Sequence, residues 1–154
     1  MSASKAFNIV LVEPEIPPNT GSIARLCGAT DSILHLVHPL GFSTENKHLR
    51  RAGLDYWEYI QIVHWTSVDH FLGHQDERRL HFFTTKTDRI YSTVRYLPGD
   101  FFIFGKETQG LPEDMLQLYK DRCCTLPMTN SHIRSLNLAM TAGIVLYEAI
   151  RQQN

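Results

Sequence analysis

Short apolar runs recur along the chain, separated by more polar stretches of helical length. Residues 7–13 (FNIVLVE), 33–38 (ILHLVH), 59–63 (YIQIV), 80–85 (LHFFTT), 100–105 (DFFIFG) and 123–126 (CCTL) each predict a strand. Between them NTGSIARLCGAT, NKHLRRAG, SVDHFLGH and PEDMLQLYK have the length and composition of helices, and a less regular piece surrounds YSTVRY. This β-α alternation predicts an α/β fold, a mainly parallel sheet flanked by helices on both faces. With no internal repeat and no linker composition, residues 1–154 are expected to form a single domain.

The last helix, predicted from Leu136 to Ile150, is apolar around most of its circumference. Such a helix has to be covered by the sheet, by another subunit or by both, which suggests a homodimer. Its polar head, Arg134, Ser135 and Asn137, is costly to bury unpaired. These side chains therefore cap the helix or hold a ligand, with Ser135 the predicted cap and Asn137 in the first turn.

Composition narrows the classes. A hydrophobic content of 43% over 154 residues suits an ordinary soluble core. No run approaches the roughly 18 apolar residues of a membrane span, and the amino-terminal stretch lacks a signal-peptide core, so a cytoplasmic protein is expected. The three cysteines, with Cys123 and Cys124 adjacent, give no disulfide framework and no C-x-x-C pair. His70 and His74 stand four apart but lack a third ligand, so no metal is expected. The net charge of −1 means that a nucleic acid would have to meet a local patch. Lys47, His48, Arg50 and Arg51 form one candidate, although charge alone also fits a solvated helix face.

A parallel sheet binds ligands at the carboxyl ends of its strands, which directs attention to three loops. None contains G-x-G-x-x-G, a P-loop or a nucleophile elbow. In PPNTGSIARLCGAT, Asn19 or Thr20 can cap a helix whose buried stripe is Ile23, Leu26, Cys27 and Thr30. Arg25, about 200° around from Ile23, then points away from the core on the side of Ser22. In FFIFGKETQGLPEDM, the glycines serve the turn and Pro112 the helix start, leaving Glu107 as an unexplained carboxylate that could be solvated, hold a cation or accept substrate hydrogen bonds. In CTLPMTNSHIRSLNLAM, a polar loop joins the last strand to the last helix.

At these loops, and also through HLRRAGLDYWEY and FTTK, the chain resembles the SPOUT superfamily of RNA methyltransferases. It is most similar to the small TrmL-like enzymes that methylate the ribose 2′-oxygen of the tRNA wobble nucleotide, position 34, a cytidine or a carboxymethylaminomethyluridine type. The resemblance covers nearly the whole chain and implies a C-terminal deep trefoil knot, an exception to unthreaded chains. It also implies a homodimer through the knot region and S-adenosylmethionine bound in the knot by Phe83, Thr84, Thr85, Gly105, Glu107, Leu126, Met128 and Ser135. The family's functional residues match Asn19, Arg25, Glu107, Ser135 and Asn137. The loop TNSHIRS is about a residue longer than in close relatives, which leaves the RSLN match intact. Lacking the extra RNA-binding domain of larger relatives, this chain is expected to hold tRNA on the dimer itself, with Lys47, Arg50, Arg51 and Lys86 on phosphates.

The resemblance makes Arg25 the proton acceptor, yet a guanidinium offers five donors and no acceptor. The preferred reading is that Arg25 binds the adjacent phosphate and stabilises the developing alkoxide, the proton passing to phosphate or water. Asn19, Glu107 and Asn137 would orient Arg25, cofactor and ribose. Two rivals remain: a ribose methyltransferase for ribosomal RNA or another tRNA position, and a catalytically silent RNA-binding dimer.

Overall fold

The computed structural model describes residues 6–52 and 54–154. Gly53, which ends the basic segment, and the first five positions of the amino-terminal stretch lie outside them. Six strands, β1 (Asn8–Val12), β2 (Ile33–Val37), β3 (Ile62–Trp65), β4 (Leu80–Phe83), β5 (Phe101–Phe104) and β6 (Cys123–Cys124), form one sheet in the order β3-β2-β1-β5-β4-β6. Every pairing is parallel.

The strands read as continuous apolar runs because alternate side chains enter different cores. Ile9 and Leu11 of β1 join Leu34, Leu36, Phe102 and Phe104 on one face, packed beneath α1 (Pro17–Ala29) and α5 (Leu138–Gln153). Val10 and Val12 join Val37, Phe82 and Ile103 on the other, against Phe71 of α3 (Val68–Leu72) and Met115 and Leu116 of α4 (Glu113–Leu118). The basic helix α2 (Lys47–Ala52) packs across α1.

Several boundaries differ from the sequence expectation, among them the ends of the strands read over 80–85 and 123–126, which stop at Phe83 and Cys124. The third strand begins at Ile62, where it comes into register with Leu34, because residues 54–59 form a 3-10 helix instead. Helix α1 starts at Pro17, not at Asn19 or Thr20; its N-cap is Ile16, whose side chain cannot cap, and prolines occupy the first turn. Of its expected buried stripe, Ile23 and Cys27 are fully buried, whereas Leu26 and Thr30 are half-buried. Helix α5 starts at Leu138 with Asn137 as its cap, the Asn137 side chain accepting from the Met140 N–H at 3.1 Å. Ser135 and Leu136 therefore belong to the preceding exposed loop.

Two features position the site. From the edge strand β6 the chain returns over the carboxyl ends of β4 and β5, so that α5 packs on α1 and β5. At the end of β5, Gly105 lies against the backbone of Gly110, where a Cβ would fall 2.0 Å from the Gly110 carbonyl carbon. The turn between them closes with the Gly110 N–H donating to the Lys106 carbonyl at 2.8 Å, and Gly110 has φ +69°.

Candidate active site

Strand ends and loops enclose a cavity of about 560 Å³ at the carboxyl edge of the sheet. Its wall contains Phe83, Thr84, Thr85, Lys86, Gly105, Glu107, Leu126, Met128 and Ser135, together with Asn19 and Asn137. Segments more than a hundred residues apart meet here because parallel strands deliver all their carboxyl ends to one edge.

The polar side of the cavity is built around Glu107. Its Oε1 accepts from the Glu15 N–H at 2.9 Å, and its Oε2 accepts from the Ile16 N–H at 3.0 Å and from Asn19 Nδ2 at 3.2 Å. The carboxylate thus holds the two backbone N–H groups that lead into α1, including that of the N-cap residue Ile16, as the returning carboxylate of a capping box does. In return the Glu15 carboxylate accepts from the Thr108 hydroxyl at 2.7 Å and the Thr108 N–H at 3.1 Å. These hydrogen bonds hold the Glu15 carboxyl below its ordinary range. Of the roles open to Glu107 in the sequence, solvated carboxylate gives way to organiser of the loop after β1.

A carboxylate only accepts, so it fixes the direction of everything attached to it. Asn19 must turn its amide nitrogen toward Glu107, which aims its Oδ1 at Asn137, and Asn137 Nδ2 donates to it at 3.1 Å. Asn137 then has its own Oδ1 left to accept from Met140. One directed chain of hydrogen bonds therefore runs from the turn after β5, through α1, to the start of α5.

Arg25 does not line this cavity. It is exposed on α1, as is Ser22, opposite the buried Ile23 and Cys27. Within one chain, Glu107, Asn19 and Asn137 thus come together at the cavity and Arg25 lies outside it.

The expected RNA-facing cations divide. Lys47 and Arg51 are exposed. Arg50 is committed within its own neighbourhood: Nε donates to the Thr44 carbonyl at 2.9 Å, Nη2 pairs with Glu45 at 3.3 Å, and the guanidinium lies 4.7 Å from the Trp57 ring centroid. These local partners hold a guanidinium whose side chain is still 38% exposed, so a phosphate would have to compete with them for its donors. Lys86 is at the cavity wall and forms an exposed pair with Glu113 at 2.9 Å, an arrangement that water and salt weaken.

The cysteines and the His70–His74 pair are held in structural contacts. The three cysteines are buried, and desolvation pushes the Cys27 thiol up to about 12. His70 Nδ1 accepts from the Thr66 N–H, and His74 Nδ1 bonds to the His70 carbonyl. Among the described residues no group of three or more His, Cys, Asp or Glu could hold a metal ion, and no helix is long and apolar enough to cross a membrane.

Sequence reasoning missed Glu15, Thr108 and Thr141, which complete the two loops and the cavity wall. Nothing local marks them, since each acquires its meaning from a partner in another segment. Arg134, noticed only as part of a polar helix head, also lines the cavity.

Comparison with known proteins brings the same segments together. The model of the SpoU rRNA Methylase family matches residues 6–147. A tRNA (cytidine(34)-2′-O)-methyltransferase of Methylovorus glucosotrophus is 49% identical over 152 residues, covering 96% of each chain. A solved structure concerned with the 2-OH methylation of C/U34 on tRNA superposes with a TM-score of 0.91 at 38% identity, covering 96% of each chain. The fold also matches the SpoU methyltransferase AviRb of Streptomyces viridochromogenes in complex with AdoMet, with a TM-score of 0.83 at 24% identity over 99% of this chain and 60% of that one.

Proposed function

The chain belongs to the SpoU methylase family, and from that premise we propose that it methylates the ribose 2′-oxygen of the wobble nucleotide, position 34, in tRNA, using S-adenosylmethionine. The observation that carries this reading is the cavity at the carboxyl edge of the sheet, with the Glu107–Asn19–Asn137 chain on its polar side. The tRNA (cytidine(34)-2′-O)-methyltransferase activity of a relative 49% identical over 96% of the chain supports position 34 and cytidine.

The cavity fits the cofactor. Its volume of about 560 Å³ is within the usual range for small-molecule sites. Leu111, Leu126, Met128 and Leu138 offer apolar surface, and a side chain at Gly110 would project into open space on the same wall. Phe83, Thr84, Thr85, Gly105 and Ser135 present strand-end and loop groups around it. When bound, the cofactor supplies an electrophilic methyl on a sulfonium. The protein's own task is orientation: holding the ribose oxygen in line removes much of the entropic barrier. Asn19, Glu107 and Asn137 fix the geometry of that polar wall, and Arg25 stabilises the developing alkoxide while the proton leaves to phosphate or water.

The homodimer is part of the same reading. Met140, Ile144 and Tyr147 line an exposed stripe of α5, 66%, 41% and 53% accessible, with Ile133 and Leu136 just before it. A second copy covering this stripe approaches the mouth of the cavity, where Asn137 begins α5, and Arg25 then acts on the partner's cavity. The C-terminal knot is likewise proposed, supported by the return of the chain from edge strand β6 to α1 and β5. Lys47, Arg51 and Lys86 contact tRNA phosphates.

Incubation with labelled S-adenosylmethionine and total tRNA, followed by mapping of the labelled nucleotide, tests the function. A 2′-O-methyl at position 34 is expected. Label in ribosomal RNA or at another tRNA position overturns the wobble assignment, and absence of cofactor binding in calorimetry overturns the enzyme.

A further inference from the structure

Three cations line the cavity, and they are not equivalent. Lys106 Nζ lies 3.3 Å from Glu13 Oε1, and Lys86 Nζ lies 2.9 Å from Glu113 Oε2. Arg134 lines the same cavity without a carboxylate partner among the described residues. The carboxylate nearest in function, Glu107, is already occupied by two backbone N–H groups and Asn19. Arg134 is therefore the cavity-lining cation whose guanidinium no carboxylate claims among the described residues, so its donors are open to an incoming anion.

The location of that charge is informative. Arg134 is next to Ser135 and three residues before Asn137, in a loop whose residues 129–137 are all exposed. A guanidinium held there at no desolvation cost is available to an anion arriving from solvent, and its planar fork matches two oxygens of a phosphate. Phe83, Gly105 and Leu126, on the strand-end wall of the same cavity, are less exposed than Arg134.

Resting on the function proposed above, we propose that Arg134 is a positioning residue that grips a backbone phosphate of the RNA adjacent to the target ribose. It joins the loop before α5 to the substrate strand, so that the same segment supplies Asn137 to the polar chain and Arg134 to the phosphate. A phosphate clamp one residue from the cofactor wall sets the register of the strand and thereby selects which ribose reaches the methyl.

The test uses the full chain and an anticodon stem-loop RNA, with variants Arg134→Gln and Arg134→Lys. Wild-type protein is first shown to bind S-adenosylmethionine in calorimetry and to methylate the wobble ribose; failure there overturns the functional reading and this inference with it. With the wild type active, Arg134→Gln is expected to raise the KM for RNA about tenfold and reduce the salt slope of RNA binding by about one, with Arg134→Lys recovering part of the loss. Cofactor affinity is expected to stay within about twofold of wild type, since the clamp does not touch the cofactor. RNAs carrying a single methylphosphonate on either side of the target nucleotide supply the second readout. One of them should weaken wild type but leave Arg134→Gln unaffected. Reduced cofactor affinity with unchanged RNA binding would assign Arg134 to the cofactor's carboxylate, and unchanged values in every assay would make it a surface arginine; either overturns the clamp while leaving the methyltransferase intact.

Discussion

Asn137 Nδ2 and Asn19 Oδ1 meet at 3.1 Å although 118 residues separate them in the chain. The bond has a direction imposed from outside the pair, because the Glu107 carboxylate claims the Asn19 nitrogen. Asn137 consequently serves two ends at once: its nitrogen ties α5 to α1, and its oxygen caps α5.

The two duties can be separated by substitution. Asn137→Asp keeps the cap but cannot donate to Asn19, whereas Asn137→Ala loses both and costs about 1 kcal/mol for the cap alone. Thermal unfolding should leave Asn137→Asp close to wild type and lower Asn137→Ala by about 2–4 °C. Methyl transfer should fall at least about tenfold in both, because orientation of the polar wall is lost in each. An active Asn137→Asp protein would reduce Asn137 to a cap.

Gly105→Ala tests the turn that shapes the cavity. Its Cβ would lie 2.2 Å from the Leu111 nitrogen and closer still to Gly110, all backbone atoms with no rotamer to yield. Destabilisation of about 1–3 kcal/mol in urea unfolding is expected, with loss of cofactor binding in calorimetry. Gly143→Ala, inside α5 where a Cβ meets nothing within 4 Å, is the contrasting control and should be stabilising by about 0.5–1 kcal/mol.

Stability should depend on pH through His35. Trp65 Nε1 donates to its Nδ1 at 3.0 Å and its Nε2 bonds to Asn8 Oδ1 at 2.8 Å, so the buried neutral ring has no place for a second proton. Desolvation lowers its pKa from the ordinary 6.5 to about 4. Between those values the unfolded chain binds more protons than the folded one, so stability rises with pH across this window and is lost as pH falls through it. His81, shifted down mainly by desolvation, acts in the same direction. Unfolding free energies at pH 7 and pH 4.5 should differ by roughly 1–3 kcal/mol from His35, and His35→Gln should flatten the slope.

The exposed stripe of α5 gives a test of assembly. Ile144→Asp places a carboxylate in the centre of the surface proposed to join two copies, at a position 41% accessible in the single chain. Sedimentation should show a shift from dimer to monomer, with circular dichroism unchanged, since burying an unpaired charge penalises the interface and not the protomer. A dimer unaffected by the substitution would place the interface elsewhere.

Arg25, outside the cavity of its own chain, permits a complementation experiment. Arg25→Ala and Asn137→Ala proteins are each expected to be inactive, while co-assembled heterodimers recover about a quarter of wild-type activity in a random mixture if Arg25 acts across the interface. Recovery requires exchange between subunits, and a mixture no more active than its components assigns Arg25 to its own protomer.

Periodicity alone determined much of this molecule. The six apolar runs became the six strands of the parallel sheet, because hydrophobic patterning specifies which backbone segments must be covered. The orientation of Arg25 away from Ile23 followed equally from helical geometry. The matching motifs also named the segments of the cavity wall, since residue types at fixed spacing survive in the chain itself. What tertiary structure decided were the partners. The N–H groups leading into α1 are held by Glu107, 91 residues beyond Ile16, whereas local rules favoured a cap at Asn19 or Thr20. Arg50 was drawn to Trp57 and Glu45, and Arg25 was left outside the cavity of its own chain. Hydrophobic burial is encoded in the spacing of neighbouring residues, whereas a hydrogen bond or ion pair between distant segments exists only once the sheet has brought its strand ends to one edge.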